Sequence, residues 1–321
     1  MIPAFPEFKK ISTDDREAVE SYTRRYQPYS DFNFTNLWAW DTSGERMISE
    51  LKGNFVVRFT DYKTCEHLLS FLGSNESEST ARQLLHFAEA SGVSPILRFI
   101  TEESMQNLQN SNLYVEEDQD NFDYIFSVSE LVALQGSKFK GKRHLAEGFL
   151  REYPDVLFES RELSDVFVQE QIISVLRRWE DKKKLDNKTY DLGHEKKALS
   201  RLLETANKHK LILSCIFLHD AMIGFSIDEI VPHQYAISHF FKADNSFKGI
   251  SEFLNEKVAQ YLVVHDVVLW NWQQDLGIED LRRSKMSYRP VNFLKKYRVS
   301  FGPQKIKHGE EKNAIEHTSV V

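Results

Sequence analysis

No stretch of this sequence comes near the ~20 consecutive apolar residues that a membrane-spanning helix needs, so any meeting with a bilayer is expected to be peripheral. Cysteine is scarce. Cys65 and Cys215 lie far apart, without metal-type spacing, and read as two reduced, mostly buried thiols. Glycine and proline are few, 13 and 8 in 321 residues, which leaves little room for long flexible linkers. Basic charge is not in excess. With 41 Lys and Arg against 48 Asp and Glu, the net charge of -7 excludes attraction of the whole chain to nucleic acid. Met1–Lys10 lacks the cationic stretch and apolar run of a secretory leader, so the expected location is the cytoplasm. There is no G-x-S-x-G elbow, P-loop or H-E-x-x-H motif. His233 and His239 are six apart and read as core or surface residues rather than metal ligands, so no metal site is expected.

What is present is ordinary globular material with a rich aromatic content. Hydrophobic residues make up 41% and aromatics 12%, with 23 Phe, enough for well-filled cores. The length suits two domains. Charge separates them: eight acidic residues and no Lys or Arg lie between Thr101 and Glu130, whereas Gly136–Arg151 carries Lys138, Lys140, Lys142, Arg143 and Arg151 against Glu147. A division into 1–130, 131–305 and a polar, mobile tail 306–321 follows.

The first half reads as mixed α/β. It has a helix start at Thr13, β-like runs at Phe55–Phe59 and His67–Leu72, a helix Ser79–Ser91 stopped by Gly92, and strands at Pro95–Ile100 and Leu113–Val115. In the second half, apolar residues at helical spacing mark Ser164–Lys182 and His194–His209. Leu211–Leu218, a turn at His219-Asp220 and Met222–Ile230 read as a hairpin, and Gln234–Lys242 as a third strand. A helix Gly249–Val264, a strand Val267–Trp272 and a terminal strand Arg298–Phe301 complete the order. That order resembles the core of the GNAT acyltransferase fold. The expected class is therefore α/β (α+β), with two tandem GNAT-like domains, each a mixed, mostly antiparallel sheet flanked by helices.

Three polar stretches are more specific. Ala133–His144 has a leucine and a glycine followed by spaced lysines and an arginine. Phe241–Asp244 runs on to Phe247-Lys248-Gly249-Ile250, with Leu254-Asn255 after it. Asn271–Pro290 reads N-x-x-Q-D-L-G-x-x-x-L-R-x-x-K-x-S-Y-x-P. With a weaker match at Tyr29–Trp40, these stretches resemble the family of the C-terminal domain of phosphatidylglycerol lysyltransferase. The resemblance implies an acyl or aminoacyl transferase. Its donor would be aminoacyl-tRNA or, less in keeping with the residues, an acyl-CoA, with no tightly bound cofactor. The lysyltransferases also carry a multi-helix membrane region that this sequence does not contain. The resemblance thus leaves the acceptor open among a small molecule, a lipid headgroup and a peptide. A non-catalytic ligand-binding module on the same fold is the alternative.

Candidate site residues follow from local chemistry. Gly249 opens a helix whose free N–H groups favour an anion, and Lys242 and Lys248 add charge. Only one glycine fits the cradle that an acyl-CoA enzyme would carry there. Asn271, Gln274 and Asp275 follow a strand end, where ligands are commonly met. Arg282 and Lys285 are three apart and share a helix face. Trp272–Arg298 carries seven basic and three acidic residues, a balance suited to phosphate, carboxylate or a tRNA backbone. An alternative reading of the same residues has Asp275 capping a turn and pairing with Arg282. Lys138, Lys142 and Arg143 form a third basic group, expected to converge with the other two. Asp275 as a base and Tyr288 as a proton donor to the leaving hydroxyl are the catalytic candidates.

Overall fold

The computed structural model describes residues 1–60, 66–105, 108, 111–186 and 193–303, with the side chains of 183, 185 and 186 left aside. Cys65 and the tail 306–321 lie outside the described residues. In chain order the elements are β1 (Lys9–Lys10), α1 (Arg16–Thr23), α2 (Phe34–Ala39), β2 (Met47–Leu51), β3 (Asn54–Thr60), β4 (His67–Leu72), α3 (Ser77–Ser91), β5 (Leu97–Thr101), α4 (Glu102–Met105) and β6 (Tyr114–Glu117). Then come β7 (Asp123–Ser127), α5 (Val128–Ala133), α6 (Lys140–Glu152), β8 (Leu157–Arg161), α7 (Val166–Asp186), α8 (Gly193–Glu204), β9 (Ile212–Leu218) and β10 (Ala221–Val231). The last are β11 (Tyr235–Ala243), α9 (Ile250–Val263), β12 (Leu269–Asn271), α10 (Glu279–Ser287), β13 (Asn292–Leu294) and β14 (Lys296–Ser300). No described helix is long and apolar enough to cross a membrane.

The chain forms two compact units. The first holds Met1–Asp123, Gly193–Leu202 and the segment that starts at Leu294; the second holds the described residues of Tyr124–Leu192 and Leu203–Phe293. In the first unit, β1-β2-β3-β4 form an antiparallel sheet, and β5-β14-β6 a second one. Helix α3 buries Ala81, Leu84, Leu85 and Ala88, one face at helical spacing, against Phe71, Ile100 and Val299. It ends at Gly92, whose φ of 66° is the left-handed stop expected there. Lys296 is buried between Asp123, at 2.7 Å, and Asp31, and Asp123 also accepts hydrogen bonds from the Ser30 N–H and hydroxyl at 2.7 and 2.6 Å. Tyr29–Trp40 therefore owes part of its pattern to this buried ion cluster.

The terminal strand was expected at the end of the second domain's sheet. Instead β14 pairs with β5 and β6 of the first unit. Two strands of the second sheet, β7 and β8, were not expected at all. β7 follows the acidic run and its Asp123 serves the ion cluster, while β8 is a half-exposed edge.

The second unit has a seven-stranded sheet in the order β13-β7-β12-β11-β10-β9-β8. Its described registers are antiparallel except for β11 with β12, which are parallel and joined through α9. This is the GNAT-like element order. The parallel ladder is short: Tyr235, Ala236 and Ile237 face Leu269, Trp270 and Asn271. β11 then continues to Ala243 with no described β12 partner, and the Gln273 Nε2 donates to the Ser238 carbonyl at 2.5 Å just past the end of the ladder. The core against α9 holds Phe126, Phe149, Leu254, Trp270, Trp272 and Tyr288, each burial of this kind contributing about 2 kcal/mol. Cys215 is buried in β9, and desolvation pushes its thiol up to about 12, so it is an inert core residue.

Candidate functional site

The Asn271–Pro290 stretch folds into a turn that satisfies itself. After β12 the backbone enters the left-handed region at Gln273 (φ 59°), Leu276 (58°) and Gly277 (75°), and the Gln273 carbonyl accepts from the Tyr124 N–H of β7 at 3.0 Å. Lys285, wholly buried on α10, reaches back and donates to the carbonyls of Trp272 (2.6 Å), Gln274 (2.7 Å) and Gln273 (3.3 Å). The Gln273 N–H donates to the Asn271 Oδ1 at 2.6 Å. Asp275, also fully buried, accepts a two-pronged pair from Arg282, with Nε to Oδ2 at 2.8 Å and Nη2 to Oδ1 at 2.9 Å. It accepts two more hydrogen bonds, from the Gly277 N–H at 2.8 Å and the Tyr124 hydroxyl at 2.5 Å. Burial, and then the Asp275 carboxylate, hold the Tyr124 phenol well above its ordinary range. Asn271, Asp275, Arg282 and Lys285 are thus brought together, and the charges of Asp275, Arg282 and Lys285 are engaged with the turn itself. The half-buried Gln274 adds its carbonyl to the Lys285 cage.

Tyr288, the residue after α10, stands at the centre of a second group. Its ring meets Trp272 edge-on, with centroids 5.0 Å apart. The Lys142 ammonium lies 3.9 Å from the Tyr288 ring centroid and 3.3 Å from a Glu252 carboxylate oxygen. α6 delivers Lys142, and α9, packed against α6, delivers Glu252 and Asn255. The Asn255 Nδ2 donates to the Tyr288 hydroxyl at 3.2 Å. Burial raises the Tyr288 phenol well above its usual range, with Glu252 adding to the effect. Burial lowers Lys142, opposed by Glu252. Tyr288 therefore stays protonated at neutral pH. Two buried polar atoms of this group, the Asn255 Oδ1 and the Trp272 Nε1, have no hydrogen-bond partner among the described residues. If the amide is turned over, the other end of Asn255 is the one left over.

The helix start at Gly249 has a packing explanation. Its φ is 88°, and a Cβ there would overlap the Leu145 carbonyl oxygen, lie 2.8 Å from the Leu145 carbonyl carbon and 3.3 Å from the Phe149 Cβ. The glycine lets α6 approach the first turn of α9. Glu252 occupies that same turn, and the Ser251 hydroxyl bonds the Asn245 Oδ1 at 3.3 Å. Lys248 is exposed. Lys138 pairs with Glu130 at 2.7 Å, and Arg143 donates to the Leu134 carbonyl. Lys242 is buried in β11 with its ammonium 3.8 Å from the Trp179 ring centroid on α7. Of the basic residues singled out, Lys142 joins Tyr288 directly, whereas Lys242 serves the α7 side of the sheet. Glu252, Asn255 and Trp272 were not among the candidates, although Asn255 and Trp272 lie inside the quoted polar stretches.

Comparison with known proteins places these features in context. The family described as phosphatidylglycerol lysyltransferase, C-terminal, matches residues 23–300. No curated protein sequence matches. Among solved structures, a conserved protein of unknown function from Bacteroides thetaiotaomicron is 24% identical with a TM-score of 0.80, covering 93% of this chain and 99% of its own. The C-terminal domain of a lysylphosphatidylglycerol synthetase, so described with reserve, from Agrobacterium fabrum is 14% identical with a TM-score of 0.62, over 91% of this chain and 92% of its own. The structure of L-PGS from Bacillus licheniformis is 14% identical with a TM-score of 0.61, over 95% of both chains.

Proposed function

The chain belongs to the phosphatidylglycerol lysyltransferase C-terminal family, and we propose that it is an acyl-group transferase that moves an aminoacyl group from a charged tRNA to a small-molecule, lipid-headgroup or peptide acceptor in the cytoplasm. The observation that carries this reading is the Tyr288 group: a buried, protonated phenol held by Asn255 and Lys142 beside two polar atoms without partners. In the reaction the acceptor's lone pair forms a bond to the acyl carbon, and the bond to the leaving oxygen breaks. Tyr288 supplies the proton that the departing alkoxide needs, the proton shed by the acceptor passes to solvent, and solvent restores the phenol; Lys142 is close enough to favour the developing negative charge. The packing of α6 against the start of α9 favours an aminoacyl ester over acyl-CoA. The Leu145 carbonyl and the Glu252 carboxylate stand where a pyrophosphate would need free N–H groups.

The self-satisfied Asp275 turn favours a second reading, a ligand-binding module without turnover, because it leaves Asp275 no freedom to act as a base. One experiment separates the readings. Purified protein is melted with acetyl-CoA, with CoA and with a lysyl-tRNA pool, and transfer of radiolabelled lysine to hydroxylamine is then measured. A stabilising ligand raises the melting temperature once it exceeds its Kd. Stabilisation by lysyl-tRNA with transfer supports the proposal, and stabilisation without transfer supports the binding module. Stabilisation by acetyl-CoA alone would replace the donor, and no shift with any of them would sink the transferase reading.

A further inference from the structure

The Tyr288 group holds two buried polar atoms that packing does not explain. Trp272 is wholly buried against Phe126, with ring centroids 4.1 Å apart, and against Tyr288, yet its Nε1 has no hydrogen-bond partner among the described residues. Asn255 is buried on α9; its Nδ2 donates to the Tyr288 hydroxyl at 3.2 Å, and its Oδ1 has no partner among the described residues. That direction of the bond leaves the phenolic proton for another acceptor and makes Oδ1 the spare end. Each orphaned group is a cost to folding, and a phenylalanine and a leucine would fill the same core without it.

Both atoms lie where a parallel unit takes ligands. The ladder of β11 and β12 ends at Ile237 and Asn271, so Trp272 is the first residue beyond it. Asn255 is in the second turn of α9, the helix that joins the two strands. In α/β sheets, ligands gather at the carboxyl ends of parallel strands. Tyr288 brings the two side chains to one group, because its ring centroid lies 5.0 Å from that of Trp272 and its hydroxyl meets Asn255. The group meets solvent through Lys142 and Glu252, whose side chains are 18% and 12% exposed.

The two spare atoms differ in kind. An indole N–H only donates, and a carboxamide oxygen only accepts. A simple acyl group offers a carbonyl oxygen to the first and nothing to the second. An α-aminoacyl group offers both, a carbonyl oxygen and, on the next carbon, an amine. We propose that Trp272 and Asn255 are the recognition pair for an α-aminoacyl group: the Trp272 Nε1 donates to the acyl carbonyl oxygen, and the Asn255 Oδ1 accepts from the α-amine. This rests on the transferase reading above and adds no bond change to it. The Trp272 N–H stays on the oxygen as the acyl carbon becomes tetrahedral and that oxygen gains charge.

The test compares two donors on the full chain: tRNA charged with lysine, and the same tRNA charged with 6-aminohexanoate, which is lysine without its α-amine. Transfer to hydroxylamine is measured in single turnover and corrected for the uncatalysed reaction. Wild type should prefer lysyl-tRNA by about tenfold or more, because the analogue leaves a buried acceptor unpaired. Asn255→Leu should bring the two donors within about threefold of each other, whatever it does to their common rate through Tyr288. Asn255→Asp keeps an acceptor oxygen and should keep the preference. Trp272→Phe keeps an aromatic ring against Phe126 and Tyr288; it should lower transfer from both donors about 100-fold and leave their ratio unchanged. If Asn255→Leu transfers too slowly to measure, the ratio of its Kd values for the two charged tRNAs carries the comparison, and the wild-type ratio needs no variant. Equal transfer from the two donors by wild type, or a preference that survives Asn255→Leu, would overturn the assignment and leave acyl transfer standing. An unchanged rate in Trp272→Phe would overturn the part given to its N–H. Transfer from neither donor by wild type would overturn both the assignment and the transferase reading.

Discussion

Replacing Gly249 with alanine should destabilise the second unit, and the size of the effect can be worked from two observations. A side chain at φ 88° costs about 1–2 kcal/mol relative to glycine. The new Cβ also collides with the Leu145 carbonyl in α6, so α6 or α9 must shift; overpacking of this kind costs about 1–3 kcal/mol. Together they amount to ~2–5 kcal/mol. For a unit of this size each kcal/mol lowers Tm by about 2–4 °C, which gives a drop of ~4–20 °C. Urea and thermal unfolding of the full chain would report it through tryptophan fluorescence, because Trp270 and Trp272 lie in the core that α9 covers. Stability within about 0.5 kcal/mol of wild type, the scatter of an uninvolved surface change, together with loss of donor binding, would refute the packing argument. It would restore the start of α9 as an anion cradle.

Other outcomes follow from buried charge. Lys296→Met should cost about 3–5 kcal/mol in urea unfolding of the first unit, because Asp31 and Asp123 would be left buried without their cation; a neutral result would mean that water already solvates them. Burial raises the Asp228 carboxyl to about 7, above the ~3.9 of an unfolded chain. The stability it contributes is therefore complete below about pH 4 and is lost as pH rises through 7. Wild type should be more stable at pH 5 than at pH 8, and Asp228→Asn should flatten that slope in urea titrations. Equal slopes would show that Asp228 titrates normally.

The elements legible from sequence were those whose burial is local. Helix α3 with its Gly92 stop, the hairpin β9–β10, and strand β11 with helix α9 all lie within a residue or two of where periodicity and turn residues put them. What failed was long-range pairing. Arg298–Phe301 reads equally well as an edge strand of either unit, and only the register with Ile100 and Glu116 settles that it belongs with β5 and β6. β7 hid behind the acidic run because its aspartate is held by a lysine more than a hundred residues away. At the site, the shared face of Arg282 and Lys285 was readable from spacing. The turn-capping Asp275 and its pairing with Arg282 were readable as well. The three carbonyls that Lys285 reaches were not, because their positions depend on left-handed residues at 273, 276 and 277. The Lys142–Tyr288 contact depends on how α6 lies on α9, which the local sequence does not encode.

The two lysines of this region make the difference between scaffold and chemistry measurable. Lys285 is wholly buried and its three donor bonds hold the strand exit. In Lys285→Met the Trp272 and Gln274 carbonyls lose this donor while the Gln273 carbonyl keeps the Tyr124 N–H, and each lost buried bond costs about 1–3 kcal/mol. The expected result is a melting temperature lowered by ~4 °C or more, with any loss of function following from unfolding. Lys142 is mostly buried with an edge open to solvent, and its pairing with Glu252 is worth about 1 kcal/mol, the upper end for exposed pairs and well short of a fully buried one. Lys142→Met keeps the stem that packs near Tyr288 while removing the charge. It should melt within about 3 °C of wild type and lose transfer to hydroxylamine by about tenfold or more, one lost electrostatic contact to the reacting group. If Lys142→Met instead unfolds the protein while Lys285→Met leaves stability untouched, the roles are reversed. The polar stretch from Asn271 to Pro290 would then be the binding surface, and the Tyr288 group the scaffold.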